Sequence, residues 1–274
     1  MIKISLVLAS FNRAHLLDLG LGSIAKYKVK YTLEIVVVND GLNDDTESVC
    51  DKYKHIFDIK YIFSGHRNID IAERRSPVFA NNIGVKASTG DIIVLSNPEI
   101  YHLNECLNII IPPLVSNNKL LTIPDFMYFD DTGEFTATEQ HNDVSLLSMG
   151  EVGKDALQMP FLMGMWKKEF MDIGGYDEDL IGYAADDNDL VDRLKLNKCT
   201  HFRVLARIVH LYHGASHDSL MHWDNMNHVY NKKIYELSGS PIHFCKLRIN
   251  ILKARVIKFR IDSVNARQVS AYAA

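Results

Sequence analysis

Asn97-Pro98-Glu99 is the first place along the chain where chemistry is legible. The proline fixes the backbone between two side chains that can offer oxygen to one hard cation, and such a cation would hold a diphosphate. The apolar run Ile92-Ile93-Val94-Leu95 just ahead has the length of a strand. The tripeptide therefore falls where a strand of an open α/β sheet ends and ligands bind. A second group of oxygens lies at Asp186-Asp187-Asn188-Asp189, at the head of a segment with helical periodicity. Carboxylates there either cap the helix or stand ready for proton transfer. Five of the twelve histidines fall between residues 210 and 228, beginning with His210-Leu211-Tyr212-His213 after a strand-like run. Imidazole suits Mn²⁺ as carboxylate does; a polar loop without metal is the other reading.

Elements of alternating type must carry these groups. Met1–Leu8, Leu33–Val38, Asp58–Phe63 and the run at Ile92 read as strands. Between them Ala14–Tyr27, a segment from Asp44-Asp45 to Tyr53, and Pro77–Ser88 read as helices, although Gly20 and Gly22 weaken the first. Gly90 is expected to close the third helix from the left-handed position. The alternation predicts an α/β fold with a mainly parallel central sheet covered by helices on both faces. Further on we expect a helix over Leu103–Val115 and a short strand over Leu120–Ile123. A hairpin turn at residues 130–134 would join 127–129 to 135–137. Residues 139–158 carry little signal. Phe161–Trp166 is apolar, Lys167–Ile173 is a short helix stopped by Gly174-Gly175, Asp187–Leu196 a helix, His201–Val209 a strand and Trp223–Leu237 a helix.

Bulk properties narrow the class. With 274 residues the chain can bury a substantial core. The net charge of -4 hides an asymmetry: residues 241–274 hold seven Lys/Arg against Asp262, so the remainder is acidic. An acidic body argues against nucleic acid as a partner. Cys50, Cys106, Cys199 and Cys245 have no paired spacing, which fits reduced thiols in a cytoplasmic protein. The first apolar run is too short for a secretory signal, and the run near Ile109 meets Pro112-Pro113 too soon to span a bilayer.

In this order the motifs resemble nucleotide-sugar glycosyltransferases of the GT-A fold, family 2 type, over roughly residues 2–236. The likeness rests on Val7–Arg13 after the first strand, Ile35–Gly41 after the second, and Ala80–Gly84 before the strand that ends at Asn97-Pro98-Glu99. It continues with Gly174–Glu178 and Asp186–Leu190. The resemblance implies a nucleotide-binding half near 1–100, an acceptor half near 101–240 and a basic helical extension over 241–274. It implies that Ala9, Ser10, Asn12 and Arg13 flank the nucleotide and that Asp40 meets the base or ribose. Asn81 and Arg75 would lie by the sugar or diphosphate, beside Asn97. Glu99 takes the place of the last carboxylate of the family's Asp-x-Asp motif and would ligate Mn²⁺ or Mg²⁺, with His213 or His210 completing the sphere. Asp187, with Asp186 beside it, would be the base of an inverting transfer. Gly175, Tyr176 and Trp166 would face the acceptor, Trp166 stacking on a sugar, though Phe161–Trp166 also reads as plain core strand.

The implied activity is sugar transfer from a nucleoside-diphosphate sugar, UDP-linked by preference, to a saccharide or lipid-linked saccharide. A non-catalytic nucleotide- or carbohydrate-binding protein of the same fold is the alternative. A nucleotidyltransferase is a second, but Ala9–Arg13 lacks the basic glycine-rich loop it would need. Lys246, Lys253, Arg260 and Arg267 recur every seven residues in the extension, with Phe244, Leu247, Ile251, Leu252, Val256 and Phe259 supplying apolar surface. Residues 241–267 would then touch an anionic membrane, or pack on the body or on a second copy of the chain.

Overall fold

Apolar runs without alternation become the fully buried strands of one sheet. A computed structural model describes residues 2–41, 44–66, 76–130, 133, 135, 147–151, 161–178, 180 and 186–213. The first half runs β1 (Lys3–Ser10), α1 (Ala14–Ala25), β2 (Thr32–Asn39), α2 (Thr46–Tyr53), β3 (Asp58–Phe63), α3 (Val78–Ala87) and β4 (Ile92–Ser96). The second half runs β5 (Ile100–His102), α4 (Cys106–Ser116), β6 (Leu120–Phe129), β7 (Ser148–Glu151), β8 (Leu162–Trp166), α5 (Lys167–Asp172), α6 (Asp186–Leu196) and β9 (Thr200–His210).

The sheet order is β3-β2-β1-β4-β8-β6-β9-β5, with β7 paired to β6. β3, β2, β1 and β4 are mutually parallel. β8 then joins β4 antiparallel, and β6 and β9 run parallel to each other. Right-handed crossovers with this order place α1 and α2 on one face and α3 on the other. Ile4, Leu6, Val7, Ile35–Val38 and Ile92–Val94 are wholly buried between those layers. The strand order reverses between β1 and β4, which opens a crevice at their carboxyl ends.

Several local expectations change. Gly90 does not close α3 from the left-handed region; the helix ends at Ser88, whose backbone is extended. Glycine is needed at 90 because a Cβ there would lie 2.4 Å from Ser5 Oγ and 2.7 Å from Ser5 N. Gly20 and Gly22 sit inside α1 for the same kind of reason. A Cβ on Gly20 would stand 3.0 and 3.1 Å from the carbonyl oxygens of Pro98 and Ile100, and one on Gly22 2.9 Å from the Tyr53 hydroxyl. Residues 100–102, expected to lead into a helix at Leu103, form β5 instead, and α4 starts at Cys106. β6 continues past Ile123 to Phe129 through a register shift at Pro124/Phe126. Among the described residues it pairs antiparallel with β7, Phe129 opposite Ser148, and with β8 at Thr122. Residues 136 and 137, the helix expected over Trp223–Leu237 and the extension from 241 lie outside the described residues.

Candidate active site

Arg13, Glu99, His210 and His213 come from three separate stretches and meet at one point. Glu99 follows β4, and the short β5 directly after it pairs antiparallel with the end of β9, Ile100 opposite His210. Leu211 N–H donates to the Glu99 carbonyl at 2.9 Å, drawing the chain beyond β9 across the mouth of the crevice. Ligand atoms of Glu99, His210 and His213 consequently all lie within 4.8 Å of one another. Both Nε2 atoms approach Glu99 Oε1, at 3.9 Å from His210 and 3.8 Å from His213. Arg13 Nη1 reaches the same oxygen at 2.9 Å. Glu99 Oε2 is buried and has no hydrogen-bond partner among the described residues. Burial holds the His210 pKa below its usual value despite the pull of Glu99, with His213 and Arg13 acting in the same direction as burial. The imidazole is therefore neutral and free to act as a ligand. An orphaned carboxylate oxygen beside two imidazoles fits a divalent cation.

The residues expected to flank the nucleotide lie around the ends of β1 and β2, on α3 and after β4. Asp40 N–H donates to Ser10 O at 2.7 Å, and Ser64 Oγ lies 3.5 Å from Asp40 Oδ1. Ser10 and Asp40 are both buried, and Ala9 is half-buried at the end of β1. Asn12 adopts a left-handed φ of 55°, which turns the chain so that Arg13 opens α1 facing Glu99. Asn81 is half-buried on α3 and Asn97 half-buried ahead of Glu99. Arg75 lies outside the described residues.

The acidic motif is positioned by a second network. Gly174 and Gly175 both have positive φ, 84° and 73°, a reversal that brings Tyr176 beneath α6. Asn82 of α3 clamps Tyr176 from both sides: it accepts from Tyr176 N at 2.9 Å and donates to Tyr176 O at 3.1 Å. The same amide donates to Glu178 Oε1 at 2.8 Å. Tyr176 Oη donates to Asp187 Oδ1 at 3.1 Å. Burial and the adjacent Asp186 carboxylate push Asp187 well above the usual carboxylate range. Burial, with the charge of Asp189, raises Asp186 as well. Asp189 itself is committed to Arg193, whose Nη2 lies 2.6 Å from its Oδ2. Arg193 also donates to the Ile173 and Gly175 carbonyls and so ties the glycine turn to α6.

One expectation has to be withdrawn. Trp166 does not reach the crevice: it pairs with Ile92, at the end of β4 remote from Glu99. Its indole N–H donates to Leu114 O at 2.7 Å, as a core residue's would. Because β8 runs antiparallel to β4, Phe161 at the other end lies near the site, its ring 5.1 Å from that of His210, with Phe129 at 6.0 Å. Asn82 and Arg193 were not legible as site supports. For Asn82 the only signal was its place beside Asn81; for Arg193 it was the i, i+4 spacing from Asp189.

A parallel half-sheet, an acidic helix start and a carboxylate–imidazole cluster at the switch point agree with the GT-A class of glycosyltransferases. A model of glycosyl transferase family 2 matches residues 5–172, and the chain belongs to that family. A model of the N-terminal domain of galactosyltransferase matches 161–216, the stretch holding Tyr176, Asp187, His210 and His213. Chondroitin synthase of Pasteurella multocida (strain Pm70) is 26% identical over 146 residues, covering 53% of this chain and 14% of that protein. Validoxylamine A glucosyltransferase of Streptomyces hygroscopicus subsp. jinggangensis (strain 5008) is 25% identical over 226 residues, covering 70% of this chain and 51% of that protein. The chain thus spans about half or less of these relatives' length. Among solved structures, GalNAc-T7 with UDP, GalNAc and Mn²⁺ matches with a TM-score of 0.62 at 15% identity, over 96% of this chain and 55% of that one. Mannosyltransferase PcManGT from Pyrobaculum calidifontis, in complex with GDP-Man and Mn²⁺, gives 0.57 at 14% identity, over 100% and 76%. At these identities the likeness shows the fold. No helix among the described residues is long and apolar enough to cross a membrane.

Proposed function

We propose that the protein transfers a sugar from a nucleoside-diphosphate sugar, a UDP-sugar in the first instance, to a hydroxyl of a saccharide or lipid-linked saccharide. The observation that carries this reading is the meeting of Glu99, His210 and His213 at the carboxyl edge of the sheet, beside Arg13. Glu99 and the two imidazoles would hold a divalent cation, which supplies charge to stabilise the leaving diphosphate. Two imidazoles favour Mn²⁺ over Mg²⁺, which prefers an all-oxygen shell. Asp40 and the Ala9–Asn12 turn bind the nucleoside, Asn81, Asn97 and Arg75 belong to the donor side, and Phe161 covers the mouth near His210.

Asp187 serves as general base. Its carboxylate takes the proton of the acceptor hydroxyl while the oxygen bonds the anomeric carbon and the bond to the diphosphate breaks, inverting the configuration. A carboxyl whose pKa is raised is a stronger base than a solvated one, which suits this task. Asp186 keeps that pKa high, Tyr176 fixes the carboxylate's orientation, and Gly175 shapes the turn on the acceptor side. The nucleotide-binding half is assigned to about 1–100 and the acceptor half to about 101–240. Residues 241–267 are assigned to contact with an anionic surface near a lipid-linked acceptor.

The test is nucleotide release from a panel of UDP-, GDP- and dTDP-sugars with and without Mn²⁺. Mn²⁺-dependent release from a UDP-sugar is expected. Nucleotide binding without release from any donor would favour the non-catalytic binder, for which the neutral Asn97 in place of an acid is the supporting feature.

A further inference from the structure

Arg13 occupies the oxygen that a cation would need. Its Nη1 is 2.9 Å from Glu99 Oε1, the atom both imidazoles approach. The Glu99 side chain is only 7% exposed, whereas that of Arg13 is 28% exposed. Its backbone is anchored independently, because the Arg13 carbonyl accepts the Leu16 and Leu17 N–H groups that start α1. With Asn97 neutral, Asn97-Pro98-Glu99 carries one negative charge, and the guanidinium cancels it.

We propose that Arg13 is an exchangeable counter-ion: it neutralises Glu99 when no donor is bound and transfers its guanidinium to the donor's diphosphate when the cation takes Glu99. The proposal rests on the metal-site reading given above. Two consequences follow from charge alone. A cation arriving by itself meets a compensated carboxylate and binds weakly. A diphosphate supplies the fork of oxygens that a guanidinium prefers, so it draws Arg13 off and releases Glu99. Cation and nucleotide then favour each other's binding, reciprocally.

Arg13→Gln removes the counter-ion while keeping most of its length. Mn²⁺ affinity of the protein alone, measured from free Mn²⁺ by electron paramagnetic resonance, should rise roughly tenfold, the scale expected for one unit charge near a partly exposed site. Affinity for UDP or GDP at saturating Mn²⁺, measured by calorimetry, should fall by about as much, because the phosphate loses its partner. Arg13→Lys keeps the charge and should stay closer to the wild type on both measures. Unchanged or weaker Mn²⁺ binding in Arg13→Gln, undiminished nucleotide affinity, or equal effects of Lys and Gln would each overturn the proposal. Glu99→Gln separates this from the underlying reading. If that variant binds Mn²⁺ as the wild type does, or if the wild type binds neither nucleotide, the metal- and donor-site assignment fails and the hand-over fails with it.

Discussion

Asp187 is held where ionisation is costly, and its chemistry and its effect on stability are opposite consequences of that placement. Its pKa is raised by burial and by Asp186, so the native state keeps a proton that the unfolded chain releases near the ordinary carboxylate value. Stability is undiminished below that value and is lost as pH climbs through the native pKa. Asp187→Asn should therefore melt higher than the wild type at pH 7 in a thermal scan, while turnover falls about 10²–10⁴-fold with donor KM little changed. Tyr176→Phe is subtler. The Tyr176 hydroxyl favours the charged carboxylate, so its loss should raise the Asp187 pKa further and move the ascending limb of the kcat profile to higher pH. A purely packing role for Tyr176 would leave that limb in place.

At the scale of elements, α1 is shaped to seat the turn that carries Glu99. Gly20 lies against the Pro98 and Ile100 carbonyls with room for no more than a hydrogen. Gly20→Ala improves helix propensity by about 1 kcal/mol, yet its Cβ would push the Asn97–Glu99 turn by a few tenths of an ångström. Little net change in Tm but weaker Mn²⁺ binding in a titration is expected. The opposite edge of the sheet is held by Glu34. Burial of its carboxylate opposes ionisation, but donors from Ser5, the Thr89 backbone and hydroxyl, and Lys3 outweigh it and bring the pKa to about 2. The same carboxylate also accepts Gly90 N–H at 3.1 Å, joining β2 to the start of β4. Glu34→Gln should cost on the order of 2 kcal/mol at neutral pH. Glu34's contribution is complete above the ordinary glutamate value and is lost as pH falls through about 2, so denaturation curves of the two proteins should converge toward that pH.

For the molecule as a whole, the crevice couples the two halves of the sheet. Glu99 belongs to the parallel half, and the histidines reach it only because β9 pairs with β5. A cation bound there bridges both halves and should stabilise the fold as any native-state ligand does, by about 2.7 kcal/mol at a hundred times its Kd. Adding Mn²⁺ should accordingly raise Tm, Mg²⁺ should raise it less, and a His210→Ala, His213→Ala double variant should abolish the rise.

The strands, the helices between them and the order of the motifs were legible in the chain, because buried parallel strands are written as unbroken apolar runs and local turn chemistry follows residue type. Glu99, Asp187 and the two histidines could likewise be named from residue type and position within those elements. The meeting of Glu99 with the two histidines was not written locally. It depends on β5, a three-residue strand too short to show periodicity, and on its pairing more than a hundred residues downstream. The withdrawal of Trp166 in favour of Phe161 has the same origin, since apolar character is the same at both ends of β8 and only the antiparallel register against β4 decides which end meets the crevice. Residue type and spacing determined which groups this protein could use; strand pairing between distant segments decided which of them stand together, because register is a property of two strands and no single stretch of sequence contains both.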